Sequence, residues 1–100
     1  MVSQLSDQAT LVVAPGQVSS NLENEEVILH IGTGIYYGLD PVGTRIWTLL
    51  QQPCKVFALY AAIYDEFDVT LARVQEDVKQ FLLHMLQAQL IEVIPASDEG

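Results

Sequence analysis

GTGIYYGLDP, residues 32–41, decides how the rest of this 100-residue chain is read. Gly32 and Gly34 around Thr33 give a tight connection, and IYYGL, 35–39, reads as a short strand leaving it. Asp40 is a preferred N-cap and Pro41 suits the first helical position, where its missing N–H costs nothing. Strand therefore gives way to helix within two residues. Just upstream, EVILHI, 26–31, places Val27, Ile28, Leu29 and Ile31 in a strand that pairs with 35–39 across the glycine turn.

Working outward, QVSSNL (17–22) alternates apolar and polar residues, which is a weaker strand pattern. Acid-rich NLENEE separates it from 26–31, and a three-stranded antiparallel meander is the simplest arrangement. LVVA (11–14), before the Pro15-Gly16 turn, and IEVI (91–94) read as short additional strands. After Asp40, Ile46, Trp47, Leu49 and Leu50 form a helical stripe that Pro53 ends. A second helix over about 55–66 puts Val56, Leu59, Tyr60, Ile63 and Phe67 on one face. Thr70 caps a third, with Val69 and Val74 spaced as a hydrophobic staple. Along 71–89 the apolar set is Leu71, Val74, Val78, Phe81, Leu82, Met85 and Leu86, an amphipathic helix of about five turns. Strands followed by helices predict an α+β fold rather than a parallel α/β sheet. The expected shape is winged helix-turn-helix-like: a three-stranded antiparallel sheet followed by three helices. Residues 1–10 read as a flexible arm, 11–94 as one domain and 95–100 as a flexible tail.

Half of the residues are hydrophobic, enough for a real core. No apolar run approaches the ~18 residues of a membrane-spanning helix. The first ten residues lack a basic secretory n-region, and Cys54 has no second cysteine to pair with, so a cytoplasmic protein is expected. Thirteen acids face four bases (Arg45, Lys55, Arg73 and Lys79), a net charge of −9. Those four are scattered, whereas nucleic-acid affinity needs clustered phosphate contacts. The same shortage argues against anionic membranes.

Catalysis needs convergent, titratable polar groups. Cys54, before Lys55 at a helix start, has a place that can lower a thiol pKa. His30 and His84 lie on other elements, with nothing to bring either to Cys54 or into zinc-ligand spacing. The neighbouring acids Asp65-Glu66 and Glu76-Asp77 diverge on helical faces. Gly32 and Gly34 lack the third glycine and the following helix of a dinucleotide loop. No enzyme, metal or cofactor is expected.

What remains is the apolar investment in 35–39 and in the last helix. Alternation puts Ile35, Tyr37 and Leu39 on one face of the strand, and Tyr36 and Gly38 on the other. One tyrosine closes the core; the other does not share its face. Either the strand's edge is covered and both rings simply pack, or the edge is free to accept another strand.

The run TGIYYGLDPVGTRIWTLL, followed by a helix and then VQEDVKQFLLHMLQAQLI, resembles the PqqD-like family of peptide-recognition domains, the RiPP recognition elements. The likeness covers about 15–94. It is nearest the stand-alone leader-binding proteins of lasso-peptide pathways, through Thr33, Gly34, Tyr36, Tyr37, Leu39, Gly43, Ile46, Trp47 and Leu50. Glu76-Asp77-Val78 and Phe81-Leu82 match the last helix. Asp40 stands where Asn is common, and Gln51-Gln52-Pro53 replaces the Asp-Gly that often follows the first helix. The resemblance implies a winged helix-turn-helix that binds the leader of a ribosomally made precursor peptide by β-augmentation rather than reading DNA. Strand residues Ile35, Tyr36, Tyr37, Gly38 and Leu39 would supply the ladder, and Val74, Val78, Phe81 and Leu82 the pockets, unless Val78, Phe81 and Leu82 serve only the core, since one helix face does not serve both. Arg73 and Asp77 would make polar contacts, or remain plain surface charge.

The function implied is a non-catalytic adaptor that presents the leader to a cysteine-protease-like leader peptidase. A chaperone of the quinone-cofactor (PQQ) type, serving a radical enzyme, is the alternative. A winged-helix DNA-binding regulator needs more bases than 71–89 carries, and an enzyme using Cys54 needs partners the sequence does not place. A bare strand edge can also join two copies in a homodimer.

Overall fold

Asp40 acts as the cap its position suggests. In the computed structural model, which describes residues 5–23 and 25–95, the Asp40 carboxylate accepts from the Gly43 N–H at 2.8 Å. The elements run β1 (Thr10–Val13), β2 (Gln17–Leu22), β3 (Glu25–His30), β4 (Ile35–Gly38), α1 (Pro41–Leu49), β5 (Cys54–Lys55), α2 (Val56–Glu66), α3 (Leu71–Gln87) and β6 (Ile91–Ile94). The α+β class, the meander and the three helices agree with the expectation.

β2, β3 and β4 form the antiparallel meander, with Ile28 opposite both Ser19 and Tyr37. The β3–β4 turn closes on a Gly34 N–H to His30 carbonyl bond of 2.8 Å, and Gly34 takes φ +74°, which only glycine adopts freely. Ile31, expected to end the strand, lies in that turn and is exposed. A second antiparallel sheet, in the order β5-β1-β6, joins distant parts of the chain: Leu11 faces both Cys54 and Val93. The short strands at 11–14 and 91–94 thus pair with each other.

The segment read as a loose arm packs from Leu5 onward. Leu5 is buried, and the Asp7 and Ala9 carbonyls accept from the N–H groups of Phe57 and Val56 at 3.1 and 3.0 Å. These bonds satisfy orphan donors at the start of α2, which has no side-chain cap. Residues 1–4 of that arm and 96–100 of the tail lie outside the described residues.

The core lies between the helices and the inner faces of the two sheets. Leu11, Ile28, Ile46, Val56, Leu59 and Leu82 are fully enclosed in it. Trp47 carries α1 onto the meander, with its Nε1–H donating to Ser19 Oγ at 3.3 Å. Thr70 caps α3 by accepting from the Arg73 N–H, while Val69 is more than one-third exposed. Among the described residues no helix is long and apolar enough to cross a membrane.

Candidate functional site

β4 is short because the chain turns into α1 at Asp40, and three bonds fix where it ends. The Leu39 N–H donates to the Glu26 carbonyl at 2.9 Å. Thr44 Oγ1 accepts from the Glu26 N–H at 3.0 Å and donates to the Leu39 carbonyl at 3.3 Å. The first of these also sets the phase of the ladder. Leu39 and, two residues back, Tyr37 turn their backbone groups toward β3, so the N–H and C=O of Tyr36 and Gly38 point the other way. No strand among the described residues pairs with that side. The edge is free.

Side chains divide as the alternation requires. Tyr37 is half-buried against the core and Leu39 is buried, whereas Tyr36 is 69% exposed. Between the free edge and the C-terminal half of α3 lies a groove of about 510 Å³. Tyr36, Tyr37, Gly38, Leu39 and Asp40 form one wall; Phe81, His84, Met85 and Ala88 form the other. At 100° per residue, Phe81, His84 and Ala88 share a stripe that continues through Asp77 to Arg73. Val74, Val78, Leu82 and Met85 form a second stripe about a quarter-turn away, and all four are buried.

That geometry corrects part of the expected site. Val74, Val78 and Leu82 are at most 2% exposed, so they hold α3 to the core and have no surface to offer a ligand. Phe81 sits at the edge of the groove stripe nearest the buried one, so it lines the groove and also packs on the core. Arg73 and Asp77 lie on the groove stripe but away from the groove itself, joined by an exposed ion pair of 3.0 Å. Ile35 is half-exposed at the start of β4, outside the groove lining.

His84, Met85, Ala88 and Asp40 are groove residues that the sequence reading did not assign. Counting three, four and seven residues on from Phe81 would have found the first three. Gly43 belongs with them for a steric reason: a Cβ there would stand 3.1 Å from Phe81 Cε1 and 3.2 Å from Asp40 Oδ1. The missing side chain lets the Phe81 ring close down beside the cap.

The groove's chemistry suits binding. Apolar rings and methylenes dominate, with a carboxylate at Asp40 and an imidazole at His84. Cys54 lies elsewhere, in β5, and burial pushes its thiol pKa up, which leaves little thiolate at neutral pH. Among the described residues no group of three or more His, Cys, Asp or Glu side chains is placed to hold a metal. Of the two bases on α3, Arg73 is engaged by Asp77, so the helix presents no run of free cations.

A free edge beside an apolar groove on α3 is also where relatives can be compared. Residues 25–91 match the family described as coenzyme PQQ synthesis protein D (PqqD). This chain belongs to the PqqD family. The match begins with β3 and ends at the first residue of β6, so it contains both walls of the groove. Among solved structures, this PqqD-family chain is similar to "TbiB1 in Complex with the TbiA(beta) Leader Peptide". The two share 34% identity with a TM-score of 0.76, over 85% of this chain and 99% of the other. Comparison with curated proteins gives no match.

Proposed function

We propose that this PqqD-family chain is a non-catalytic adaptor. It binds the leader of a ribosomally made precursor peptide as an added strand on β4, and presents it to a lasso-type, cysteine-protease-like leader peptidase. The observation that carries the reading is the unpaired edge at Tyr36 and Gly38 opening onto the groove against α3. Support comes from the family and from the similarity to a protein solved with a leader peptide.

Magnitudes divide the work between edge and groove. Two outward-facing residues offer at most four backbone bonds, roughly 2–6 kcal/mol at 0.5–1.5 kcal/mol each. Micromolar binding needs about 8 kcal/mol, before the cost of ordering a flexible peptide. Leader side chains must therefore supply the rest by entering the groove, at roughly 1.5–3 kcal/mol per fully buried apolar anchor. The ladder fixes register and the groove selects sequence. A homodimer joined through β4 would use the same Tyr36 and Gly38 groups, so dimer and bound peptide exclude each other on this edge.

The test is fluorescence polarisation with a labelled lasso-type leader peptide, using wild type and Phe81→Ala. Wild type is expected to saturate, and the variant to bind about tenfold more weakly while remaining folded by circular dichroism. Folded wild type that ignores this leader well above micromolar concentration would remove the lasso-type reading. Binding of a PQQ-type precursor peptide instead would favour the chaperone alternative.

A further inference from the structure

Opposite the helices, the meander has a second face that the core does not use. Cross-strand register aligns Val18, Leu29 and Tyr36 in one row, and Ser20, Val27 and Gly38 in the next. Leu22 and Glu25 end that face at the β2–β3 turn. Val18, Leu22 and Tyr36 are more than half exposed, and none of Val18, Leu22, Val27 and Leu29 belongs to the core or packs on it. A five-residue apolar surface on a small acidic domain is the kind of patch that marks an interaction site.

We infer that this outer face docks the enzyme that processes the bound peptide, which would meet it with an apolar patch of its own rimmed by basic side chains. The inference rests on the adaptor reading above and names its second surface. Continuity argues for this occupant. A peptide added to β4 extends the same sheet, and its residues opposite Tyr36 and Gly38 project onto the same outer face. Sheet and peptide then form one surface, which an enzyme acting on that peptide meets as a unit. Charge argues for the rim. Glu23 and Glu25 stand at the β2–β3 end of the patch, in a chain of net charge −9. Complementary basic groups would speed encounter and fix orientation. The other exposed aromatic surface, Phe57 and Tyr64 on α2, shares no sheet with the peptide.

The experiment uses the full chain, the labelled leader peptide and a lasso-type cysteine leader peptidase. Val18→Lys/Leu22→Lys is compared with wild type and with Phe57→Lys, each checked for fold by circular dichroism. Leader affinity is read by polarisation, and peptidase affinity for the loaded adaptor by biolayer interferometry at low and high salt. The double variant is expected to hold the leader within twofold of wild type and to lose at least tenfold in peptidase affinity. Wild-type peptidase binding is expected to weaken as salt rises. Unchanged peptidase affinity in the double variant overturns the inference, as does a loss confined to Phe57→Lys, or a peptidase that ignores loaded wild type. Wild-type self-association abolished by the double substitution would also overturn it, by giving the face to a second copy. Failure of wild type to bind the leader is a different result, and removes the adaptor reading beneath it.

Discussion

β2, β3 and β4 come from one continuous run, residues 17–38, while β5, β1 and β6 are drawn from residues 54–55, 10–13 and 91–94. The two sheets have equal strand numbers and different work. The central strand of the second is stitched on all sides. Leu11 is fully enclosed, the Val13 N–H donates to the Leu50 carbonyl at 2.9 Å, and the Ala14 N–H donates to the Leu90 carbonyl at 3.0 Å. It ties the end of α1, the start of α2 and the exit of α3 to one place. The meander contributes fewer buried side chains, with Ile28 alone among its strand residues fully enclosed, and keeps an edge and an outer face that no other described element covers. Long-range pairing secures the molecule; the locally formed sheet is left free to bind.

Leu11→Ala should break that division most severely. A fully buried leucine truncated to alanine costs about 2–5 kcal/mol, a large part of the 5–15 kcal/mol typical of a domain. Urea unfolding should show that loss, while the folded fraction keeps wild-type leader affinity. Equal damage to affinity would mean that the second sheet also shapes the groove.

Gly38→Pro attacks the other side. It removes an outward N–H from the β4 edge at a site where an added Cβ meets nothing within 4 Å. Leader binding should weaken by about 1 kcal/mol, roughly fivefold, for the one lost backbone bond, with the melting temperature little changed. An unaltered affinity in polarisation would show that the ladder does not use Gly38.

Arg73→Ala with Asp77→Ala is the mildest change. Their ion pair is exposed on both sides, so thermal unfolding should shift by less than about 0.5 kcal/mol. A fall in leader affinity without a fall in stability would place the peptide along the whole stripe, from Ala88 to Arg73.

Local chemistry was readable in advance and long-range partnership was not. Asp40-Pro41 and Thr70 announced their helices because a cap is a property of three or four adjacent residues. The glycine turn at 32–34 and the strand phase of Tyr36 and Tyr37 were equally local. β5 is two residues long and has no period to detect, and the pairing of Thr10 with Ile94 leaves no trace in either segment alone. The groove failed on α3 for a related reason. Its pattern shows an apolar face, but which flank of that face abuts β4 depends on how α3 lies against α1 and α2. Of the two roles open to Val78 and Leu82 the core is the one they fill, Val74 joins them there, and His84 and Ala88 face the groove without an apolar pattern that marks them. Gly43 was recognised as part of a motif, yet its steric purpose became visible only with the Phe81 ring beside it.

Trp47 is the chain's single tryptophan, 3% exposed and hydrogen-bonded to Ser19 beneath the meander. Optically, the protein therefore carries one indole chromophore, seated on the seam between α1 and β2 and away from the groove lining. Its emission should be blue-shifted in the native state and move to the red only when that seam opens. A leader titration that leaves the spectrum in place would report binding without rearrangement beneath the sheet, with no label attached to the protein.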